Sequence, residues 1–402
     1  MAFPIPFWYS VGVKAYGLGI KVASLRDAKA KLWLSGRKNW RSRYSELLKD
    51  LKDPIWIHCA SLGEFEQGRP LIEALRADRP QEKIVLTFFS PSGYEIRKDY
   101  DKVDAVLYLP LDSQSNAQDF IQLLQPKAAI FVKYETWLHH LNELDKNGVN
   151  RYLISAIFRS GQVFEKAMGK SFLKALKGYQ KIFVQDEESA NYISSLGAQD
   201  VLVSGDTRLD RVHMIRKEAE KIPALEKWKK NHSGPVLVGG STWKEDEEIL
   251  EVNWSGPLII APHDVSEIHI NELLKLFPGA EKLSTLSNYK TRVLIVDSIG
   301  LLSQIYQYGD AAFIGGGFGE GIHNTLEPAV WGLPVFFGPK YDKFKEARDL
   351  KELGAAFSID RADDWGGLPL PFRWKELGQR SKKYVEKNQG ATEIILQHLE
   401  LH

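Results

Sequence analysis

A single cysteine, Cys59, among 402 residues excludes an internal disulfide framework and any cysteine-based zinc site, and it suits a reducing compartment. Long hydrophobic runs are scarce too. The apolar opening from Met1 to Val13 is thirteen residues, short of the about 20 that span a bilayer. No short apolar core leads into a small-residue cleavage site, so a signal peptide is not expected and the cytoplasm is the default. There is no short-period repeat and no low-complexity segment, and neither the GxGxxG of dinucleotide binders nor the GxxxxGK[ST] of P-loops occurs. Charge of one sign is lacking overall, the net value being +1.

What is present is an ordinary globular composition, 44% hydrophobic, long enough for two domains that each bury a core. The near-neutral total hides an asymmetry, because residues 1–52 carry 11 Lys and Arg against 3 Asp and Glu. Read as a helix, the opening places Ser10, Lys14, Gly17, Lys21 and Ser24 on one narrow stripe, with Val11, Val13, Tyr16, Leu18, Ile20, Val22 and Leu25 around the rest. A wide apolar face with aromatics and nearby cations suits a helix lying in the headgroup layer, with Arg26, Lys29, Lys31, Arg37, Lys38, Arg41 and Arg43 drawn to anionic lipid. The plainer alternative is a buried helix of the first domain.

Beyond this leader, short β-branched and aromatic runs alternate with longer helical patterns, the signature of parallel sheets wound by right-handed crossovers. The first set of expected strands is Ile55–Ala60, Ile84–Phe89, Ala105–Leu109, Ala128–Val132, Tyr152–Ile157, Ile182–Gln185 and Val201–Ser204. A second set follows a polar stretch: Val236–Gly239, Leu258–Ala261, Val293–Val296, Ala311–Ile314 and Val335–Phe337. The fold class expected is α/β, two tandem Rossmann-like domains with a hinge near Asp206–Asp210. A cleft between the carboxyl ends of both sheets is where such folds hold ligands. The charged tail from Trp374 to Leu401 reads as surface helices that pack back across the first domain.

Three strand ends carry candidate chemistry. Ile314 runs into Gly315, Gly316 and Gly317 and then to Asn324 and Glu327. Glycines let backbone N–H groups approach an anion, and a helix capped by Asn324 with Glu327 three residues on would aim its positive end at the same spot. This predicts a nucleotide held by phosphate and ribose, the alternative being a packing turn. In the first βα turn, Ser61-Leu62-Gly63-Glu64 puts Glu64 in the first turn of a helix, where a carboxylate can take a proton from an attacking hydroxyl. Glu135 follows another strand, and Ser241, Thr242 and His263 follow two strands of the second set, bringing hydroxyls and an imidazole to the rim of the glycine-rich loop.

The combined pattern resembles the Kdo transferases, which attach 3-deoxy-D-manno-octulosonic acid from CMP-Kdo to the lipid A precursor. The matches spread over almost the whole chain: His58–Glu64 (HCASLGE), Glu135-Thr136-Trp137, Ser155–Ser160 (SAIFRS), Val184–Ala198 (VQDEESANYISSLGA), Ser204–Asp210 (SGDTRLD), Gly240–Glu248 (GSTWKEDEE) and Gly315–Pro339 (GGGFGEGIHNTLEPAVWGLPVFFGP). The resemblance implies a GT-B fold and a membrane-associated amino-terminal segment. It implies residues 1–50 as the membrane-associating part of the first domain, 51–208 as the acceptor-binding domain and 209–402 as the CMP-Kdo-binding domain.

By the same resemblance Glu64 is the general base of an inverting transfer in lipopolysaccharide inner-core synthesis. Ser241, Thr242, His263, Gly315, Gly316, Gly317, Asn324 and Glu327 hold the donor, and Glu135 and Arg159 lie on the acceptor side. CMP is already a good leaving group, so no metal and no cofactor is expected. Partners are CMP-Kdo, the lipid A precursor and a membrane surface, with no nucleic acid. The implied location is the cytoplasmic face of the bacterial inner membrane, peripheral or monotopic. Two departures stand out: the family's Arg-His-Pro is Pro262-His263-Asp264 here, and its second glutamate in ETE is replaced by Trp137. Lys340, Lys343 and Lys345 are candidates for the missing cation. The competing readings are another GT-B enzyme using a UDP-sugar, transferase or epimerase, and a noncatalytic membrane-surface nucleotide-binding protein.

Overall fold

The computed structural model describes residues 3–162 and 169–401. The chain divides into two compact units, one of Met1–Arg211 with Gly390–His402 and one of Val212–Gln389. Each is built on a seven-stranded, wholly parallel sheet.

In the first unit the strands are β1 (Ile55–Cys59), β2 (Ile84–Phe88), β3 (Ala105–Tyr108), β4 (Ala128–Val132), β5 (Asn150–Ala156), β6 (Lys181–Val184) and β7 (Val201–Val203), in the order β3-β2-β1-β4-β5-β6-β7. Successive side chains alternate between faces, so the sheet carries a core on each side. Trp56, Val85, Phe131, Leu153 and Ile182 pack under helices on one face. Ile55, Ile57, Leu86, Ile130 and Ile154 pack on the other against Phe65, Leu71 and Leu75 of the helix Leu62–Asp78. The carboxyl-terminal segment completes that second layer with Ile395, Leu399 and Leu401. It is pinned by Asp210, which accepts from Gly390 N at 2.6 Å and Thr392 N at 2.7 Å.

In the second unit β8 (Leu237–Thr242), β9 (Leu258–Pro262), β10 (Glu281–Lys282), β11 (Val293–Ile295), β12 (Ala311–Ile314), β13 (Val335–Phe337) and β14 (Ala356–Ser358) form the order β10-β11-β9-β8-β12-β13-β14. Both sheets thus reverse direction of winding at their first strand, β1 in one and β8 in the other. That reversal is the place where open α/β sheets leave room for ligands. The two outermost strands here, β10 and β14, lie outside the expected set: β10 consists of two charged residues, and β14 is a three-residue segment.

The amino-terminal helix Phe7–Ala23 contains no buried residue. The small residues of its polar stripe turn toward the body of the unit while Lys14 and Lys21 stay exposed: Ser10 Oγ bonds His139 Nε2 at 3.0 Å, and Gly17 sits so close to Leu111 that a β-carbon would lie 2.9 Å from its Cδ2. Apolar side chains face outward instead, Phe7 being 83%, Leu18 64% and, just past the helix, Leu25 76% exposed. Among the described residues no helix is long and apolar enough to cross a membrane.

Candidate active site

Glu64 stands in the first turn of the helix Leu62–Asp78, immediately after β1. Ser61 Oγ donates to its Oε2, and Lys133 Nζ lies 3.7 Å from its Oε1. The carboxylate is largely sheltered, its side chain 17% exposed. The helix that carries it is fixed at one of its own carbonyls. Thr207 Oγ1 donates to Gln67 O at 2.7 Å and is itself bonded to Ser155 Oγ at 2.7 Å, all three buried. Because the threonine hydrogen goes to the carbonyl, Ser155 supplies the other proton. The SAIFRS and SGDTRLD segments therefore meet behind Glu64, a positioning role that the sequence spacing does not reveal.

Lys133, Ser155 and Ser241, at the ends of β4, β5 and β8, hold φ of 77°, 52° and 51°. Non-glycine residues reach that region at a cost of about 1–3 kcal/mol each. All three lie at carboxyl ends of strands, Lys133 and Ser155 in the first sheet and Ser241 in the second.

Glu135 lies beside a buried polar chain. Its Oε2 is 3.4 Å from His58 Nε2, which also accepts from Trp137 Nε1 at 3.1 Å. The other ring nitrogen of His58 bonds Thr87 Oγ1 at 2.8 Å, and Trp56 Nε1 donates to the same hydroxyl at 2.8 Å. A nitrogen that accepts from Trp137 carries no proton, so the neutral ring has its hydrogen on Nδ1. His58 of the HCASLGE segment thus sets the loop that presents Glu135. Arg159 is exposed and lies close enough to Tyr134 to act on its phenol electrostatically.

In the second unit the glycine-rich loop is close-packed against its own sheet. A β-carbon on Gly315 would lie 2.2 Å from Ser241 O, and one on Gly317 would lie 2.6 Å from Gly338 N. Gly316, at φ 88°, donates its N–H to Asp246 Oδ2 at 2.9 Å. These glycines are required for chain-to-chain packing, and the Gly316 amide is held by a carboxylate rather than left for an anion. The helix that follows is Leu326–Val330, five residues, with Thr325 as its cap residue. Asn324 therefore lies one position earlier than expected, because Thr325 already has right-handed backbone angles. Its side chain still serves the helix start, Oδ1 accepting from Leu326 N at 3.0 Å and Nδ2 donating to Glu327 Oε1 at 3.2 Å.

Thr242 is fully buried and its hydroxyl donates to Glu247 Oε1 at 2.9 Å, so it braces the loop from inside. His263 is exposed and stacks on two rings, Trp243 at 4.5 Å and His323 at 4.7 Å, which are themselves joined, Trp243 Nε1 donating to His323 Nε2 at 3.2 Å. Burial and the adjacent His263 hold the His323 imidazole below its usual range. His323 and Asp246 are absent from the sequence-derived site. Both sit inside quoted motifs, but only the folded loop shows what they touch.

Burial lifts the Asp246 carboxyl to about 6, against the pull of the Gly316 and Trp243 amides. The folded protein keeps this proton to higher pH than the unfolded chain, so its stabilising contribution is complete below about pH 4 and is lost as pH rises to about 6, by ~2–3 kcal/mol. Asp246→Asn, neutral throughout and able to accept both amide hydrogens, is expected to shrink the slope of unfolding free energy between pH 4 and 6 in denaturant titrations. Some slope of the same sign remains from Glu247, which burial also raises. An unaltered slope in the variant contradicts the assignment.

Among the described residues no group of three or more His, Cys, Asp or Glu could hold a metal ion.

Residues 38–211 match the family described as 3-deoxy-D-manno-octulosonic-acid transferase (kdotransferase). Over 321 residues the chain is 31% identical to the 3-deoxy-D-manno-octulosonic acid transferase of Aquifex aeolicus (strain VF5), covering 78% of this chain and 84% of that protein. It is 27% identical over 367 residues to the enzyme of the same name from Haemophilus influenzae (strain ATCC 51907 / DSM 11121 / KW20 / Rd), covering 85% of each. The solved UDP-GlcNAc 2-epimerase from Neisseria meningitidis bound to UDP-GlcNAc aligns with a TM-score of 0.59 at 14% identity, over 86% of this chain and 98% of that one. At that identity the likeness is one of fold, the GT-B type with two tandem Rossmann-like units.

Proposed function

Since the chain belongs to the 3-deoxy-D-manno-octulosonic acid transferase family and is a glycosyltransferase, we propose that it moves Kdo from CMP-Kdo to a hydroxyl of a lipid A precursor, with inversion, in lipopolysaccharide inner-core synthesis. The observation that carries this reading is the setting of Glu64: a sheltered carboxylate at a helix start, oriented by Ser61 and accompanied by Lys133. Glu64 accepts the acceptor hydroxyl's proton as the oxygen bonds to the anomeric carbon. The bond from that carbon to the CMP phosphate oxygen breaks in the same step, and CMP leaves with the electron pair. General-base help of this kind is worth roughly 10²–10⁴ in rate.

Donor recognition is assigned to the second unit. Glu327, fixed by Asn324, is suited to ribose hydroxyls, and His263 and Ser241 beside the Gly315–Gly317 loop are suited to the phosphate. Thr242 supports the loop through Glu247 rather than by touching the donor. Acceptor recognition is assigned to the first unit, with Glu135 and Arg159 near the base. The outward apolar face of Phe7–Ala23 and the cations around it support a peripheral or monotopic place on the cytoplasmic face of the bacterial inner membrane.

The choice between a cytidine and a uridine donor is tested by thermal unfolding of the full chain with free nucleotides. CMP or CTP at about 100 times its dissociation constant should stabilise the nucleotide-binding unit by roughly 2.7 kcal/mol, while UDP should leave the melt unchanged. Protection by UDP alone favours a UDP-sugar enzyme.

A further inference from the structure

An apolar cavity of about 330 Å³ opens between the amino-terminal helix and the carboxyl edge of the first sheet. Gly12, Val13 and Tyr16 line it from the helix, and Phe89, Leu111 and Trp137 from the body. Its two inner polar groups are already used, Tyr9 O–H donating to Asp112 at 2.5 Å and Trp137 N–H to His58 at 3.1 Å, and the indole N–H of Trp8 and the hydroxyl of Tyr16 belong to side chains at the exposed rim. Away from that rim a polar ligand would lose its water without a replacement bond, whereas a hydrocarbon chain loses nothing on entering. Trp8 and Tyr16, which form its rim, are 40% and 46% exposed and belong to the outward apolar face of the same helix.

On the other side of Leu111 lies a second cleft, of about 710 Å³, bearing Lys14, Lys21, Arg37 and Arg41, of which Arg41 is already paired with Asp119 at 2.5 Å. Arg37 is the unusual member. Its guanidinium bonds only carbonyls, Leu109 O at 2.8 Å, Phe89 O at 2.7 Å and Trp33 O at 3.1 Å, and burial lowers it to about 9. A half-buried cation bonded to carbonyls and to no carboxylate is a place where a bound anion is favoured. Phe89 bridges the two clefts, since its ring packs on Trp137 at 4.5 Å and its carbonyl holds Arg37.

We propose that these adjoining clefts bind one acidic amphiphile, the acyl-chain-bearing acceptor itself, with a fatty-acyl chain in the slot under Gly12 and a phosphate in the basic cleft. The inference rests on the acceptor being a phosphorylated lipid. It goes further by assigning that molecule a chain site within the protein, in addition to the surrounding membrane. Trp137 ties the slot to the site, because it also bonds His58, the ring that sets the Glu135 loop.

The test fills the slot. A β-carbon at Gly12 meets nothing within 4 Å, and Gly12 lies inside a helix, where replacing glycine removes a helix penalty, so Gly12→Phe is expected to fold. The quantity read is the ratio of kcat/KM for an acylated, bis-phosphorylated disaccharide over its deacylated counterpart, in detergent micelles. Wild type should prefer the acylated acceptor, and the ratio should fall by about tenfold or more in Gly12→Phe, the equivalent of about two methylenes no longer buried. An unchanged ratio overturns the proposal. In a second arm the full chain is floated with anionic vesicles lacking acceptor. Wild type and Gly12→Phe should float alike, and a loss in the variant overturns the proposal by assigning the slot to bulk phospholipid. Should wild type transfer Kdo to neither acceptor, the functional reading fails, and the slot is then judged by quenching of tryptophan fluorescence with brominated acyl chains. Quenching in wild type that is lost in Gly12→Phe sustains the slot, and equal quenching in both removes it.

Discussion

Glu64→Gln is expected to reduce transfer of Kdo by roughly 100-fold or more in kcat, the scale for removal of a general base, while CMP protects the variant thermally as well as it protects wild type. Glutamine has the same shape, and its carbonyl oxygen can still accept from Ser61 Oγ, so the local hydrogen bond survives. What disappears is the site for the proton and the negative charge facing Lys133, 3.7 Å away. The split between chemistry and donor binding is the informative part. Undiminished transfer removes Glu64 from the role of base, whereas lost transfer together with lost nucleotide protection would point to a general disturbance of the fold. No transfer by wild type with CMP-Kdo and lipid A precursor ends the functional reading altogether.

The second large effect is structural. Asp112 is fully buried and collects four donors: Tyr9 O–H and His140 Nδ1 at 2.5 Å each, and the amides of His139 at 3.1 Å and His140 at 2.9 Å. Asp112→Ala strands all four in a dry interior and is expected to lower the unfolding free energy by about 3–5 kcal/mol. It also removes one of the bonds that fasten the amino-terminal helix to the rest of the unit, the Ser10–His139 bond remaining. Burial pushes this carboxyl up, but the hydrogen bond and charge of His140, with the Tyr9 hydroxyl and the His139 amide, outweigh burial and hold it below the usual carboxylate range. A depressed folded value means that the contribution is present at neutral pH and is lost as pH falls below about 4 through that value. Denaturant titrations at pH 7 and at pH 3 should therefore show a large deficit for Asp112→Ala at the higher pH and a smaller one at the lower. A difference under about 1 kcal/mol at pH 7 contradicts the network.

The two cases differ in how far the sequence could foresee them. Glu64 was legible, because a strand-like run, a small-residue turn and a helix-like pattern lie within a dozen positions. Asp112 was not. It sits in a turn-like Pro-Leu-Asp-Ser context, and its partners are 103, 27 and 28 positions away. The same division runs through the second unit. The glycine-rich segment was visible as a special backbone, but its closest neighbours, Ser241, Asp246 and Gly338, come from other loops, and they show that the missing β-carbons make room for the chain itself. Lys133, Ser155 and Ser241 carry no local sign of their left-handed backbone, since nothing nearby asks for it. Their conformation is imposed where parallel strands end and helices begin.

Hydrophobic spacing is a short-range property, so alternation of runs and helical stripes was enough by itself to determine two wound parallel sheets, twelve of their strands and the turn that holds Glu64. Only the tertiary structure decided which way the amino-terminal helix faces, with Ser10 and Gly17 turned inward and Phe7, Leu18 and Val22 out. It likewise decided which hydrogen bonds hold His58, Asp112, Thr207 and Asp246. The physical reason is that a buried polar group must find partners wherever packing brings them, and those partners lie tens to hundreds of positions away along the chain.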